Sequence, residues 1–216
     1  MAKYMIHAVQ QRMWYVEKFL IPSMLEQGIK QEDIKIHNDN TKRGNLRACM
    51  DAFREVDEEG GTWHLQDDVC ICRDFRILTE SLDFGLVAGF SSSLYDGAGN
   101  IGAVDRTKMW FSFPCIRIPN EYARGCGEWV PKYIIGNPVY RKYWEKGVND
   151  DWAFRTYLQE HYPDVKAINL APNLVDHIDY LLGGGTGGVR KKPCRAQYWK
   201  DNDLVEALEV RIKCLG

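Results

Sequence analysis

Short apolar runs alternate with stretches of helical spacing along this chain. Tyr4 to Val9 predicts a first strand. From about Met13 onward, Val16, Phe19, Leu20 and Met24 fall roughly on one helical face, and Gly28 ends that helix. Pro22 lies inside it and should kink it or split it into two turns, because proline has no amide hydrogen to donate. Asp33 to His37 predicts a second short strand, closed by the polar turn Asn38-Asp39-Asn40. Leu46, Cys49, Met50, Phe53 and Val56 then recur at helical spacing until Gly60-Gly61 stops them. Thr62 to Leu65 predicts a third strand, running directly into Gln66-Asp67-Asp68-Val69.

The second half is less regular. Gly85 to Phe90 and Met109 to Phe113 predict strands on either side of a glycine-rich loop. Pro119 can open a helix as its first residue, and Asn149 or Asp150 can cap the helix that carries Trp152, Phe154, Tyr157 and Leu158. Ala167 to Leu170 predicts a last strand, the glycine segment 183–188 a flexible or ligand-wrapping stretch, and Asp203 to Lys213 a closing helix. Alternating strands and helices favour an α/β fold with a mainly parallel sheet and helices on both faces. No internal repeat or composition break marks a boundary, so a single domain over 1–216 is expected.

Composition removes several classes of function. A net charge of −2, from 28 basic and 30 acidic residues, gives no general pull toward nucleic acid or an anionic membrane. No apolar run is long enough to span a bilayer. The N-terminus enters the first strand without a signal core, and seven scattered cysteines form no C-x-x-C pair. A reducing cytoplasm is the expected location. Gly97-Ala-Gly-Asn-Ile-Gly102 matches a dinucleotide fingerprint by letter, yet it neither follows the first strand nor opens a long helix. No P-loop ending, nucleophile elbow or H-E-x-x-H motif occurs.

The acidic step Asp67-Asp68 carries the chemistry. Adjacent carboxylates at the end of a buried strand repel and need solvation or a counter-charge. A divalent cation removes that cost, and hard oxygen ligands suit magnesium or manganese. Such a step in a plain solvated turn would have no ligand to hold. Asn149-Asp150-Asp151 opens a later helix, where carboxylates are favoured by the free amides and the dipole. The cations Arg190, Lys191, Lys192 and Arg195 form either a solvated run or a loop able to close over a diphosphate.

Gly44-Asn45-Leu46-Arg47, the helix through Phe53, and Trp63-His-Leu-Gln-Asp-Asp-Val69 together resemble the first half of a glycosyltransferase of the GT-A fold. The resemblance covers roughly residues 4–75 in order and continues loosely to Trp199. It implies one GT-A-like domain, with a nucleotide-sugar-binding half over 1–75 and an acceptor half with a closing segment over 76–216. It further implies a divalent metal on Asp68, with His177, in the string Pro172-Asn-Leu-Val-Asp-His177, as a further ligand and Asp176 or Asp179 orienting its ring. Asp67 would contact the ribose or sugar of a nucleotide-sugar donor, UDP-linked by expectation. Gln10, Arg12, Asp39, Arg43 and Asn45 would contact the nucleotide, and Arg190 and Lys192 the diphosphate. Asp151, or its neighbour Asp150, would be the general base if the enzyme inverts. Gln66 departs from the family's motif, which has an acidic residue there, and puts donor handling in doubt. The acceptor is open: a glycan, a small molecule, a protein side chain or a modified phage DNA base. Two rivals stand beside this reading. One is a sugar-phosphate nucleotidyltransferase, which would place a glycine-rich basic loop where this chain has Gln10-Gln11-Arg12. The other is a non-catalytic nucleotide-sugar-binding module.

Overall fold

Alternation along β1 (Lys3–Val9) defines the two faces of the sheet. Tyr4, Ile6 and Ala8 enter one apolar cluster while Met5 enters the other. The computed structural model describes residues 2–40, 44–82, 85–90, 102–105, 113–138, 141, 144–145, 150–165, 167–171 and 173–182. After β1 come β2 (Ile34–Asp39), β3 (Gly61–Gln66), β4 (Val69–Ile71), β5 (Leu86–Ala88), β6 (Gly102–Asp105), β7 (Cys115–Pro119), β8 (Ala167–Ala171) and β9 (Val175–His177). Seven of them form one sheet in the order β2-β1-β3-β7-β5-β8-β6, and β4 and β9 pair separately.

The fold is α/β, as expected, but the sheet is mixed. β1 runs parallel to β2 and β3, and β5 to β8, whereas β7 opposes β3 and β5 and β6 opposes β8. The central strand β7 is the element that sequence periodicity does not reveal. Its five residues, Cys-Ile-Arg-Ile-Pro, are buried almost throughout, and a strand covered on both faces shows no alternation. Pro119 ends this strand and sits at the cap of the following helix, one position before its first residue Asn120 and so not as that first residue. The strand expected over Met109 to Phe113 lies almost wholly outside the described residues, as do the segments 183–188 and Asp203 to Lys213.

One face of the sheet is covered by the helical stretch after β1. A 3-10 turn (Gln10–Arg12) leads into α1 (Met13–Tyr15), a π-helical turn (Val16–Leu20) and α2 (Ile21–Glu26). Pro22 stands in the first turn of α2, so the widened turn absorbs the amide that proline cannot supply, and the helix runs on instead of splitting. Gly28, at φ 80°, ends it as expected. Tyr15, Val16, Leu20 and Met24 pack here with Trp63 and with Phe75 of α4 (Phe75–Ser81). The opposite face carries α3 (Asn45–Arg54), α5 (Asn120–Gly136) and α6 (Asp150–His161), joined through Phe53, Cys126 and Phe154. A short α7 (Asp179–Leu182) follows β9. Among the described residues, no helix is long and apolar enough to cross a membrane.

The α3–α5 contact explains two oddities of α5. Pro131, in its interior, cannot donate to the carbonyl of Gly127 one turn earlier; the Arg54 guanidinium of α3 donates to that oxygen instead, at 3.2 Å. Gly127 itself admits the approach, since a Cβ there would lie 2.8 Å from the Met50 carbonyl oxygen. Gly127→Ala is therefore expected to lower stability by about 1–3 kcal/mol, despite a helix-propensity gain of roughly 1 kcal/mol. Gly136→Ala, where a Cβ would meet nothing within 4 Å, is expected to be neutral or slightly stabilising. Urea denaturation of both variants checks the pair, and equal effects would refute the packing argument.

Candidate functional site

β1 connects to β2 on one side, and the chain then returns to place β3 on the other side of β1. That reversal leaves a crevice beyond the carboxyl ends of β1 and β3, the position where open α/β sheets bind ligands. Asp67 and Asp68 immediately follow β3 and are buried there. The Asp67 carboxylate accepts the backbone N–H of Val9 at 2.7 Å through Oδ2, so the end of β1 holds it directly.

Arg12 meets both acids. Its Nη1 lies 2.8 Å from Asp67 Oδ1 and 2.6 Å from Asp68 Oδ2, and all three side chains are buried. The counter-charge that the acidic step needs is thus present in the chain itself, one turn beyond β1. Burial raises the Asp67 carboxyl above the ordinary carboxylate range, with the Asp68 charge adding to it. Burial also acts on Asp68, but His177 and Arg12 outweigh it and hold Asp68 below that range. Asp68 is therefore the firmly ionised member of the pair.

His177 reaches the site through the small β4–β9 ribbon. Val69 is paired in register with His177, and the N–H of Ile178 donates to the Asp68 carbonyl at 2.8 Å. His177 Nε2 consequently stands 3.2 Å from Asp68 Oδ1, an oxygen that is buried and has no well-aligned hydrogen-bond donor. Asp179 Oδ1 lies 4.0 Å from His177 Nδ1, whereas Asp176, paired with Cys70 across the ribbon, adds to the burial that raises the Cys70 and Cys72 thiols. Of the two acids expected to orient the ring, Asp179 is the one nearby. Tyr15 ties the ribbon to the α1 helix by donating to the Val69 carbonyl at 2.8 Å.

Asp150 and Asp151 open α6 beside α3, where both carboxylates act on the buried Cys49 thiol. Asp151 Oδ1 accepts the N–H of Trp152 at 2.7 Å within the first turn of α6, one position beyond the residues expected to cap it, Asn149 or Asp150. Asp150 differs: burial first, then Asp151 and Asp68, push its carboxyl up to about 7. The Asp150 carboxyl therefore feels the Asp68 charge as well as that of Asp151.

The expected nucleotide contacts divide. Gln10 is exposed after β1 and accepts a hydrogen bond from Asn38 Nδ2 at 2.8 Å, linking the ends of β1 and β2. Asp39 is buried at the end of β2 and accepts the N–H of Gly44 at 3.2 Å, which fixes the entry into α3 at Asn45. Arg43, Arg190 and Lys192 lie outside the described residues. His7 and His64 are core groups: His7 Nε2 and His64 Nδ1 are 2.8 Å apart, and burial lowers both, His7 to about 3. The role that sequence reasoning missed is that of Arg12 as counter-ion. Its signal, an arginine just past the first strand, acquires meaning only once β1 and β3 are known to be neighbours.

Asp68 and His177 form an oxygen–nitrogen pair suited to one hard or borderline cation. No cluster of three His, Cys, Asp or Glu side chains among the described residues is arranged to hold an ion, so other ligands would have to complete such a shell. No family model matches the chain, and no curated protein matches it. A similar solved structure, the crystal structure of HddC from Yersinia pseudotuberculosis, shares 11% identity over 57% of this chain and 79% of that chain. Its TM-score of 0.31 is too low to carry an argument about fold or function.

Because the folded Asp150 titrates near 7, above its ordinary 3.8, the folded chain binds a proton there that the unfolded chain releases. Its contribution to stability is full below the ordinary value and falls as pH rises through about 7. Asp150→Asn is expected to raise the urea midpoint at about pH 8 and leave it nearly unchanged at about pH 4. An equal shift at both pH values would show that packing, not charge, explains the effect.

Proposed function

We propose that this chain is a GT-A-like transferase that moves a sugar from a nucleotide-sugar to an acceptor hydroxyl. The observation that supports this most is the convergence of Arg12, Asp67, Asp68 and His177 at the carboxyl ends of β1 and β3. The Asp68 charge also acts on Asp150.

In this reading Asp67 has acceptor capacity left for a ribose or sugar hydroxyl of the donor. Arg12 stands beside the same carboxylates, where a donor diphosphate would approach. Asp68 and His177 would hold manganese or magnesium, which supplies charge neutralisation for the departing diphosphate. Asp150 takes the acceptor proton as the acceptor oxygen bonds to the anomeric carbon. The bond from that carbon to the diphosphate breaks, and its electron pair leaves with the nucleoside diphosphate. Such a displacement inverts the anomeric centre. UDP is the expected nucleotide, and the acceptor class is open.

The test is a panel of nucleotide-sugars with manganese, read as free nucleoside diphosphate. Slow donor hydrolysis is expected in the parent, falling about a hundredfold or more in Asp68→Asn. With an acceptor in hand, Asp150→Asn should lower kcat by roughly 10²–10⁴ and Asp151→Asn far less. Pyrophosphate from a sugar phosphate and a nucleoside triphosphate would establish nucleotidyl transfer instead. Tight donor binding without product from any donor would establish a binding module.

A further inference from the structure

We propose that Arg12 is the resident counter-ion of the acidic step, so that a divalent cation reaches Asp68 in competition with it. A diphosphate relieves that competition. The inference rests on the transferase reading for its ligand and on the geometry for its mechanism.

A single guanidinium nitrogen, Arg12 Nη1, is shared by Asp67 Oδ1 and Asp68 Oδ2 at 2.8 and 2.6 Å. Its backbone belongs to the turn that directly follows β1, so the pairing is built into the sheet and does not depend on a mobile surface side chain. Asp67 is 4% exposed, Asp68 5% and Arg12 9%, so water screens none of them well. Removing one partner from such a group leaves a buried charge uncompensated. Asp68 is consequently divided. Oδ2 is committed to Arg12, and Oδ1 faces His177 Nε2 at 3.2 Å. A cation entering beside Oδ1 and His177 shares its carboxylate with a fixed positive charge and is repelled by it.

Arginine has a better partner available. Its planar fork matches a phosphate as well as a carboxylate. A diphosphate arriving at the ends of β1 and β3 offers Arg12 new oxygens and frees Asp68 Oδ2. The anion and the cation then favour each other's binding, and the linkage is reciprocal. Arg12 is in this scheme a positioning residue: it sets when Asp68 can take a metal.

Manganese binding to the full chain, measured by the electron-spin-resonance signal of free Mn2+ with and without UDP, reads this directly without turnover. The parent is expected to bind Mn2+ weakly alone and about tenfold tighter with saturating UDP. Arg12→Gln should bind Mn2+ alone about tenfold tighter than the parent, with most of the UDP effect gone. Arg12→Lys retains the charge but not the planar fork, so it should keep Mn2+ binding weak and show a smaller UDP effect than the parent. If Arg12→Gln folds poorly, the double variant Arg12→Gln/Asp67→Asn restores the charge balance and should keep the tighter binding, because Asp68 and His177 remain. An Arg12→Gln protein that binds Mn2+ no tighter than the parent, or that keeps the full UDP effect, overturns the proposal. So does the absence of Mn2+ binding in every variant, while metal-free release of nucleoside diphosphate would leave the transferase reading standing. Failure of the transferase reading has a different signature: Arg12→Gln still tightens Mn2+ binding, but UDP changes nothing in the parent.

Discussion

Two adjacent carboxylates at the end of a buried strand are the constraint around which this end of the molecule is organised. Asp67 and Asp68 cannot both be buried and ionised without positive charge beside them, and Arg12 supplies it within 2.8 Å of each. Satisfying that demand fixes much else. Arg12 must follow β1 closely, and β1 must lie next to β3. The Val9 amide donates to the other oxygen of Asp67, and the Asp68 carbonyl is taken by the Ile178 amide. That last bond seats the β4–β9 ribbon and brings His177 to the acidic step.

The same network separates acids that are chemically alike. Asp68, beside both Arg12 and His177, is drawn toward the ionised form. Asp67, buried and repelled by Asp68, is drawn the other way. For Asp150, burial and the charges of Asp151 and Asp68 outweigh the backbone hydrogen bonds that act to lower it, and its carboxyl is pushed up to about 7. In the proposed transferase this difference would let Asp68 hold the cation and Asp150 carry the proton. It arises from placement alone, since the side chains are identical.

How much of this the sequence discloses depends on the distance over which each feature is determined. β1, β3 and the helix after each of the first two strands are local patterns, and they are found close to their expected bounds. Asp67 and Asp68 were legible for the same reason, as the polar end of an apolar strand. β7 was not, because burial on both faces erases alternation and Pro119 points to a helix. His177 was suspected from its string of neighbours, but its approach to Asp68 depends on a three-residue ribbon linking segments more than 100 positions apart. The raised carboxyl of Asp150 was out of reach. Burial and the charges of Asp151 and Asp68 push it up, and neither the burial nor the Asp68 charge shows in a helix-start pattern.

Arg12 also changes what an acidic pair can be taken to mean. The inference from two buried carboxylates to a metal assumes that the chain offers no cation of its own. Here it does, so the burial of Asp67 and Asp68 is accounted for without a metal. What still points outward is narrower: Asp68 Oδ1, buried without an aligned donor, with an imidazole nitrogen 3.2 Å away. Had the pair existed only to stabilise the fold, Arg12 could have been complemented by one carboxylate at lower desolvation cost. A second acid, with Oδ2 on Arg12 and Oδ1 beside the His177 imidazole, asks for more positive charge than one guanidinium carries. A ligand that brought positive charge of its own, or that drew Arg12 away, would meet that demand.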